Sequence, residues 1–127
     1  MLTILPDYSV TVRNITEAER AYDAGAMFFV TPNIDVGVIG FARNKDIPVV
    51  AGALTPTEVC KAWDAGASLV KVFPCRAFGG PQYIRELRGP FDYISLVAVG
   101  GVTIENVSEY LQAGAKAVGV GISLFNH

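Results

Sequence analysis

Histidine is almost missing from this sequence: the single one in 127 residues is His127 at the carboxyl terminus. That removes Ser/His/Asp and Cys/His nucleophile chemistry and nearly every zinc site, because each needs an imidazole held inside the fold. Cysteine is nearly as scarce. Cys60 and Cys75 are too few for a disulfide framework and lack metal-ligand spacing, so both read as packing residues or loop thiols. Charged residues make up only 17% of the chain, and ten Lys and Arg against twelve Asp and Glu leave a formal net charge of -2. No basic field gathers nucleic acid or an anionic membrane. No apolar run has the length of a transmembrane helix, and residues 1–7 lack the basic and apolar regions of a secretory leader. A cytoplasmic protein without metal, cofactor, nucleic-acid or membrane partner is the expectation.

What is present is apolar and evenly punctuated. Hydrophobic residues make up 51% of the sequence, and thirteen glycines and seven prolines are spread along it, as expected of short elements joined by tight turns. Runs rich in β-branched residues at 9–13, 27–30, 48–51, 69–73, 95–99 and 117–120 read as strands. Between them apolar residues recur at helical spacing, as in Val59, Ala62 and Trp63, or Ile104, Val107 and Leu111. The alternation predicts a parallel sheet in one domain spanning 1–127.

Helix boundaries carry their usual chemistry. Thr16 with Glu19, and Thr55 with Glu58 after which Pro56 sits at the first helical position, read as capping boxes. An Ala-Gly-Ala step recurs three times and places Gly25, Gly66 and Gly114 at left-handed helix ends just before strands. Strands such as Val97-Ala98-Val99 are apolar on both faces, which suits either a doubly wound sheet or a (β/α) barrel. Six units where a barrel has eight favour the open sheet on length, and composition leaves the choice open.

Lys71 is the residue most suggestive of chemistry. Its neighbours Leu69, Val70, Val72 and Phe73 are large and apolar, and Pro74 ends the run directly after them, near the carboxyl edge where such sheets keep their sites. An ammonium with little water has a lowered pKa, which frees the amine to attack a carbonyl. An edge strand, or a lysine reaching to the rim, is the other reading. Glycine-bearing turns at Gly79-Gly80, Gly100-Gly101 and Gly119-Val120-Gly121 suit either an anion approached by backbone N–H groups or plain turn geometry. Arg76 stands in the lysine loop, where it either helps bind an anion or is solvated. Thr31-Pro32-Asn33 is another polar strand end, and Glu58, Glu86 and Glu105 read as helix-surface carboxylates rather than bases.

Together, TVRN at 11–14, TPN at 31–33, GALTPTE at 52–58, KVFP at 71–74, FGGPQYIREL at 78–87, AVGGVTIENV at 98–107 and AVGVG at 117–121 run in order over nearly the whole chain. In these stretches the sequence resembles the class I 2-keto-3-deoxy-6-phosphogluconate aldolases, with the 6-phosphogalactonate and 4-hydroxy-2-oxoglutarate aldolases. The resemblance implies a TIM barrel, here N-terminally incomplete, whose third to eighth βα units are present. It makes Lys71 the Schiff-base lysine that cleaves a phosphorylated 2-keto acid to pyruvate and an aldehyde, usually glyceraldehyde 3-phosphate. It makes Thr11, Pro32 and Phe73 substrate-binding, and Gly100, Gly101, Gly121 and Ser123 phosphate-binding, although Ile122 stands where the family has its serine. The family's catalytic glutamate and substrate-binding arginine lie on the second unit, which has no counterpart here. Ala98-Val99 matches galactonate-type rather than gluconate-type members. A homo-oligomer is expected, a trimer by the resemblance. The alternative is a non-catalytic open-sheet module that binds a phosphorylated metabolite or itself; the lack of internal histidine argues against a metal-dependent class II aldolase.

Overall fold

The computed structural model describes residues 9–120. Six strands alternate with five α-helices: β1 (Ser9–Thr11), α1 (Ile15–Asp23), β2 (Phe28–Thr31), α2 (Val36–Asn44), β3 (Val49–Ala53), α3 (Pro56–Ala65), β4 (Leu69–Val72), α4 (Pro81–Arg88), β5 (Leu96–Val99), α5 (Val107–Ala113) and β6 (Ala117–Gly119), with a 3-10 turn at Arg76–Phe78 before α4. All five strand pairs are parallel and the sheet order is β1-β2-β3-β4-β5-β6.

That order decides between the two architectures left open by composition. A doubly wound sheet reverses direction at a switch point, so its strands are out of chain order and helices cover both faces. Here each right-handed crossover steps one strand further the same way, so every helix lands on the same face. The fold is an incomplete (β/α) barrel of six units.

Strand alternation then separates two apolar layers. Outward, Phe29, Val49, Val70, Val72, Leu96 and Val118 pack with Val38, Ile39, Val59 and Ile84 from the helices. Inward, Val30, Val50, Val97 and Ala117 form a second cluster with Phe28, Leu69 and Val99 at its margin. Strands whose both faces are covered this way explain the lack of polar alternation in the sequence.

Helix starts differ in two places from the expected pattern. Asn14, with extended backbone at φ -159, caps α1 by accepting from the Glu17 N–H at 2.9 Å. The helix therefore starts before Thr16, and the expected Thr16–Glu19 capping box does not form. Ile104 likewise precedes α5 and is 68% exposed, since the turn after β5 continues to Asn106. The Thr55–Glu58 box is present with Pro56 in the first turn, and α3 and α5 end at left-handed Gly66 and Gly114. Strand limits shift by one or two residues. Arg13 falls outside β1 because the chain turns there to reach the Asn14 cap, and Phe73 falls outside β4 at the Pro74 step.

The Glu58 carboxylate accepts from the N–H groups of Leu54 and Thr55 at 3.0 and 3.1 Å, which holds its pKa below the ordinary glutamate value. A carboxyl whose pKa falls on folding contributes stability above its unfolded value and loses it as the pH drops through the folded one. Glu58→Gln should therefore flatten the acid limb of a stability–pH profile, and Thr55→Ala should cost about 1 kcal/mol in urea unfolding.

Candidate active site

Lys71 lies on β4, which is paired on both sides, so it is not on an edge strand. Its ladder partners are Gly52 on β3 and Val97 on β5. Val70 and Val72, the residues on either side, are fully buried against the helices, which leaves Lys71 pointing to the inner face beside Val97. There it is half-buried, and burial holds its pKa below that of an ordinary lysine. The Phe73 ring, with its centroid 5.3 Å from Nζ, works against this shift because its quadrupole favours the cation. Among the described residues Lys71 has no ion-pair partner.

Three carboxylates near this edge are committed elsewhere, while Glu105 is exposed in the turn after β5. Asp35 caps α2 by accepting from the Val38 N–H at 3.0 Å, Glu58 caps α3, and Glu17 binds both the backbone and the guanidinium of Arg13. The strand positions that share the inner face with Lys71 carry no carboxylate among the described residues. The described inner face therefore holds an amine with no carboxylate on the neighbouring strand positions.

Parallel strands bring their carboxyl ends to one edge, and the expected residues collect there. Thr11 ends β1, Pro32 follows β2, Phe73 and Pro74 follow β4, and Gly100 and Gly101 follow β5. Gly121 and Ser123 lie outside the described residues. Pro32 comes close to the lysine row: a Cβ on Gly52, the ladder partner of Lys71, would lie 2.4 Å from the Pro32 carbonyl oxygen. Gly52 thus admits the end of β2 to the inner face, a role that its place inside an apolar run did not reveal.

The loop after β4 is fastened to the turn after β5. The Cys75 N–H donates to the Val99 carbonyl at 2.9 Å and the Arg76 N–H to the Gly100 carbonyl at 3.1 Å. Gly100 has a φ of +105, and a Cβ there would approach Pro74 Cα and Cys75 N at 3.1 Å. Asn106 closes the turn from the other side, donating through Nδ2 to the Gly101 carbonyl at 3.0 Å and accepting the Thr103 N–H at 2.7 Å. Tyr83 on α4 donates its hydroxyl to the Leu54 carbonyl, tying the loop after β3 into the same assembly. Neither Asn106 nor Tyr83 was singled out from sequence; Asn106 stands in the turn before α5 and Tyr83 on α4, and each donates to a backbone carbonyl. Cys75 is fully buried, with Sγ 3.5 Å from the Gly80 carbonyl oxygen, and burial pushes its thiol up to about 11. It is a packing group and not a thiolate nucleophile.

Residues 8–127 match the family model described as KDPG and KHG aldolase. The chain belongs to that aldolase family. It is 44% identical over 117 residues to the 2-dehydro-3-deoxy-6-phosphogalactonate aldolase of Escherichia coli, a match covering 91% of this chain and 56% of the relative. A solved structure described as native KDPGal superposes with a TM-score of 0.83 at 39% identity, covering 88% of this chain and 54% of that one. The KDPG aldolase of Legionella pneumophila, solved with pyruvate captured as a covalent carbinolamine intermediate, superposes at 0.78 with 25% identity over 87% of this chain and 54% of that one. The chain spans about half the length of the curated relatives it matches. The aldolase fold likeness agrees with the incomplete barrel read from strand order.

The buried lysine also has a thermodynamic signature. Burial disfavours its charged form, so the unfolded state binds the proton more tightly and stability rises as the pH climbs through the folded pKa toward the ordinary lysine value. Lys71→Met should raise the melting temperature at pH 7, and the gain should shrink as the pH enters the lysine range. Equal melting temperatures at both pH values would show that the ammonium is fully solvated.

Proposed function

We propose that this chain carries the Schiff-base part of a class I aldolase that cleaves 2-keto-3-deoxy-6-phospho sugar acids of the gluconate or galactonate series. The observation that carries the reading is the half-buried Lys71, turned to an inner face with no other charge beside it at the carboxyl edge of a parallel sheet. Its free amine adds to the C2 carbonyl, and the carbinolamine loses water to give a protonated imine. The C4 hydroxyl then loses its proton as the C3–C4 bond breaks, with the bonding pair flowing into the iminium. An aldehyde, glyceraldehyde 3-phosphate, departs and an enamine remains on the lysine. Protonation at C3 and hydrolysis release pyruvate and restore the amine. The route calls on no metal or organic cofactor.

Thr11, Pro32 and Phe73, at the carboxyl edge that Lys71 shares, are assigned to the substrate, and the Gly100–Gly101 turn, with Gly121 and Ser123 beyond the described residues, is assigned to its phosphate. The proton at the C4 hydroxyl needs an acceptor, and the inner face offers none among the described residues. We assign that role to the portion of the barrel that the relatives have and this chain does not span. No helix among the described residues is long and apolar enough to cross a membrane, and we place the chain in the cytoplasm. The described sheet ends at β1 and β6, and strand edges left unpaired favour association with further copies, as a trimer on the family likeness.

A non-catalytic binding module has no need of a reactive amine, so imine formation separates the readings. Incubating the chain with pyruvate and borohydride should give a reduced adduct, seen by intact mass and mapped to the peptide containing Lys71. Lys71→Ala should abolish it. A folded chain that gives no adduct would overturn the Schiff-base assignment.

A further inference from the structure

Arg76 is the charged residue closest in sequence to the lysine strand, and the mechanism above does not use it. Its backbone N–H is held by the Gly100 carbonyl at 3.1 Å. Its aliphatic stem lies over Gly101, where a Cβ would come 2.5 Å from Arg76 Cβ and Cδ. Gly101 also has a φ of +80, a backbone conformation that side chains resist. The second glycine of the turn is therefore a seat for the arginine stem. Both carbonyls of the glycine pair are occupied, Gly100 by the Arg76 N–H and Gly101 by Asn106 Nδ2. Hydrogen-bond acceptors of the turn are thus spent within the fold, and the Arg76 side chain is exposed beside them without an ion-pair partner among the described residues.

We propose that Arg76, seated on Gly101, is a specificity-determining cation that binds the phosphate at the far end of the substrate. The inference rests on the proposed substrate class and adds to it a residue of this chain. A guanidinium presents its donors as a planar fork that matches two phosphate oxygens, whereas an ammonium offers a point charge. With the keto carbon at Lys71 on β4, a six-carbon acid extends along the carboxyl edge to the neighbouring turn after β5, where Arg76 is held. Pyruvate has the keto acid end and no phosphate, so its reaction at Lys71 does not depend on the arginine.

The test titrates inorganic phosphate into the isotopically labelled chain at constant ionic strength, with chloride as the control. The amide resonances of Arg76, Gly100 and Gly101 report binding. Saturable shifts are expected in the wild type, with affinity lower by about tenfold or more in Arg76→Ala and intermediate in Arg76→Lys. Pyruvate trapping at Lys71 should be unchanged in both variants. Equal phosphate affinity in Arg76→Ala, or unsaturable shifts in the wild type, would overturn the proposal while leaving pyruvate trapping as evidence for the Schiff base. Failure of trapping in a wild type whose phosphate binding depends on Arg76 would strike the aldolase reading and leave the anion site standing.

Discussion

Winding in one direction is the constraint on which the rest of this structure depends. Because β1 to β6 follow chain order, crossovers of the usual right hand gather the helices on one face. Among the described residues the other face is then free of helices and is filled by strand side chains. Val30, Val50, Val97 and Ala117 fill it, and the one ionisable side chain placed among their rows is Lys71. A lysine on the helix-covered face would meet Ile84 and Val59 and have no route to a ligand. On the inner face it keeps half its exposure and loses enough water for its pKa to fall.

The carboxyl edge is held together mainly by backbone. Loops after β3, β4 and β5 are joined by Tyr83 to Leu54, Cys75 to Val99, Arg76 to Gly100 and Asn106 to Gly101. In each of these bonds a backbone carbonyl is the acceptor. Such ties fix where neighbouring loops sit without using up the side chains that face a ligand. Gly52 and the Gly100–Gly101 pair do the complementary work, leaving room where backbone or an arginine stem must pass close. Preorganisation of this kind matters because misplacement of a reacting group by about 1 Å can cost on the order of 10²-fold in rate.

Much of this was legible in the sequence because the signals were local. Thr55, Pro56 and Glu58 lie within one turn of one another, and the βα alternation follows from the spacing of apolar residues. Lys71 was identified by an apolar neighbourhood and a following proline, both contiguous with it. Sheet order was not legible from composition, since apolar strands are common to barrels and doubly wound sheets; it rests on which strands pair. Gly52 and Asn106 escaped notice for the same reason: what each does depends on Pro32 or Gly101 approaching it in space. At the start of α1 two capping patterns overlapped, Asn14 to Glu17 and Thr16 to Glu19. The earlier one won because its Glu17 also reaches back to the Arg13 N–H at 2.9 Å and to its guanidinium at 2.7 Å.

The described carboxylates explain why an amine and a base are separable parts of the proposed chemistry. A carboxylate that accepts two backbone N–H groups, as Glu58 does, is stabilised as the anion and is a weak base. Glu17, paired with Arg13, is weakened in the same way. A general base needs the opposite environment, with a pKa raised toward the working pH. Imine formation draws mainly on the nucleophile's own lowered pKa, whereas cleavage draws on a placed proton acceptor, a contribution of about 10²–10⁴-fold. The described inner face offers an amine for the first of these proposed steps, while Glu17, Asp35 and Glu58 serve the fold.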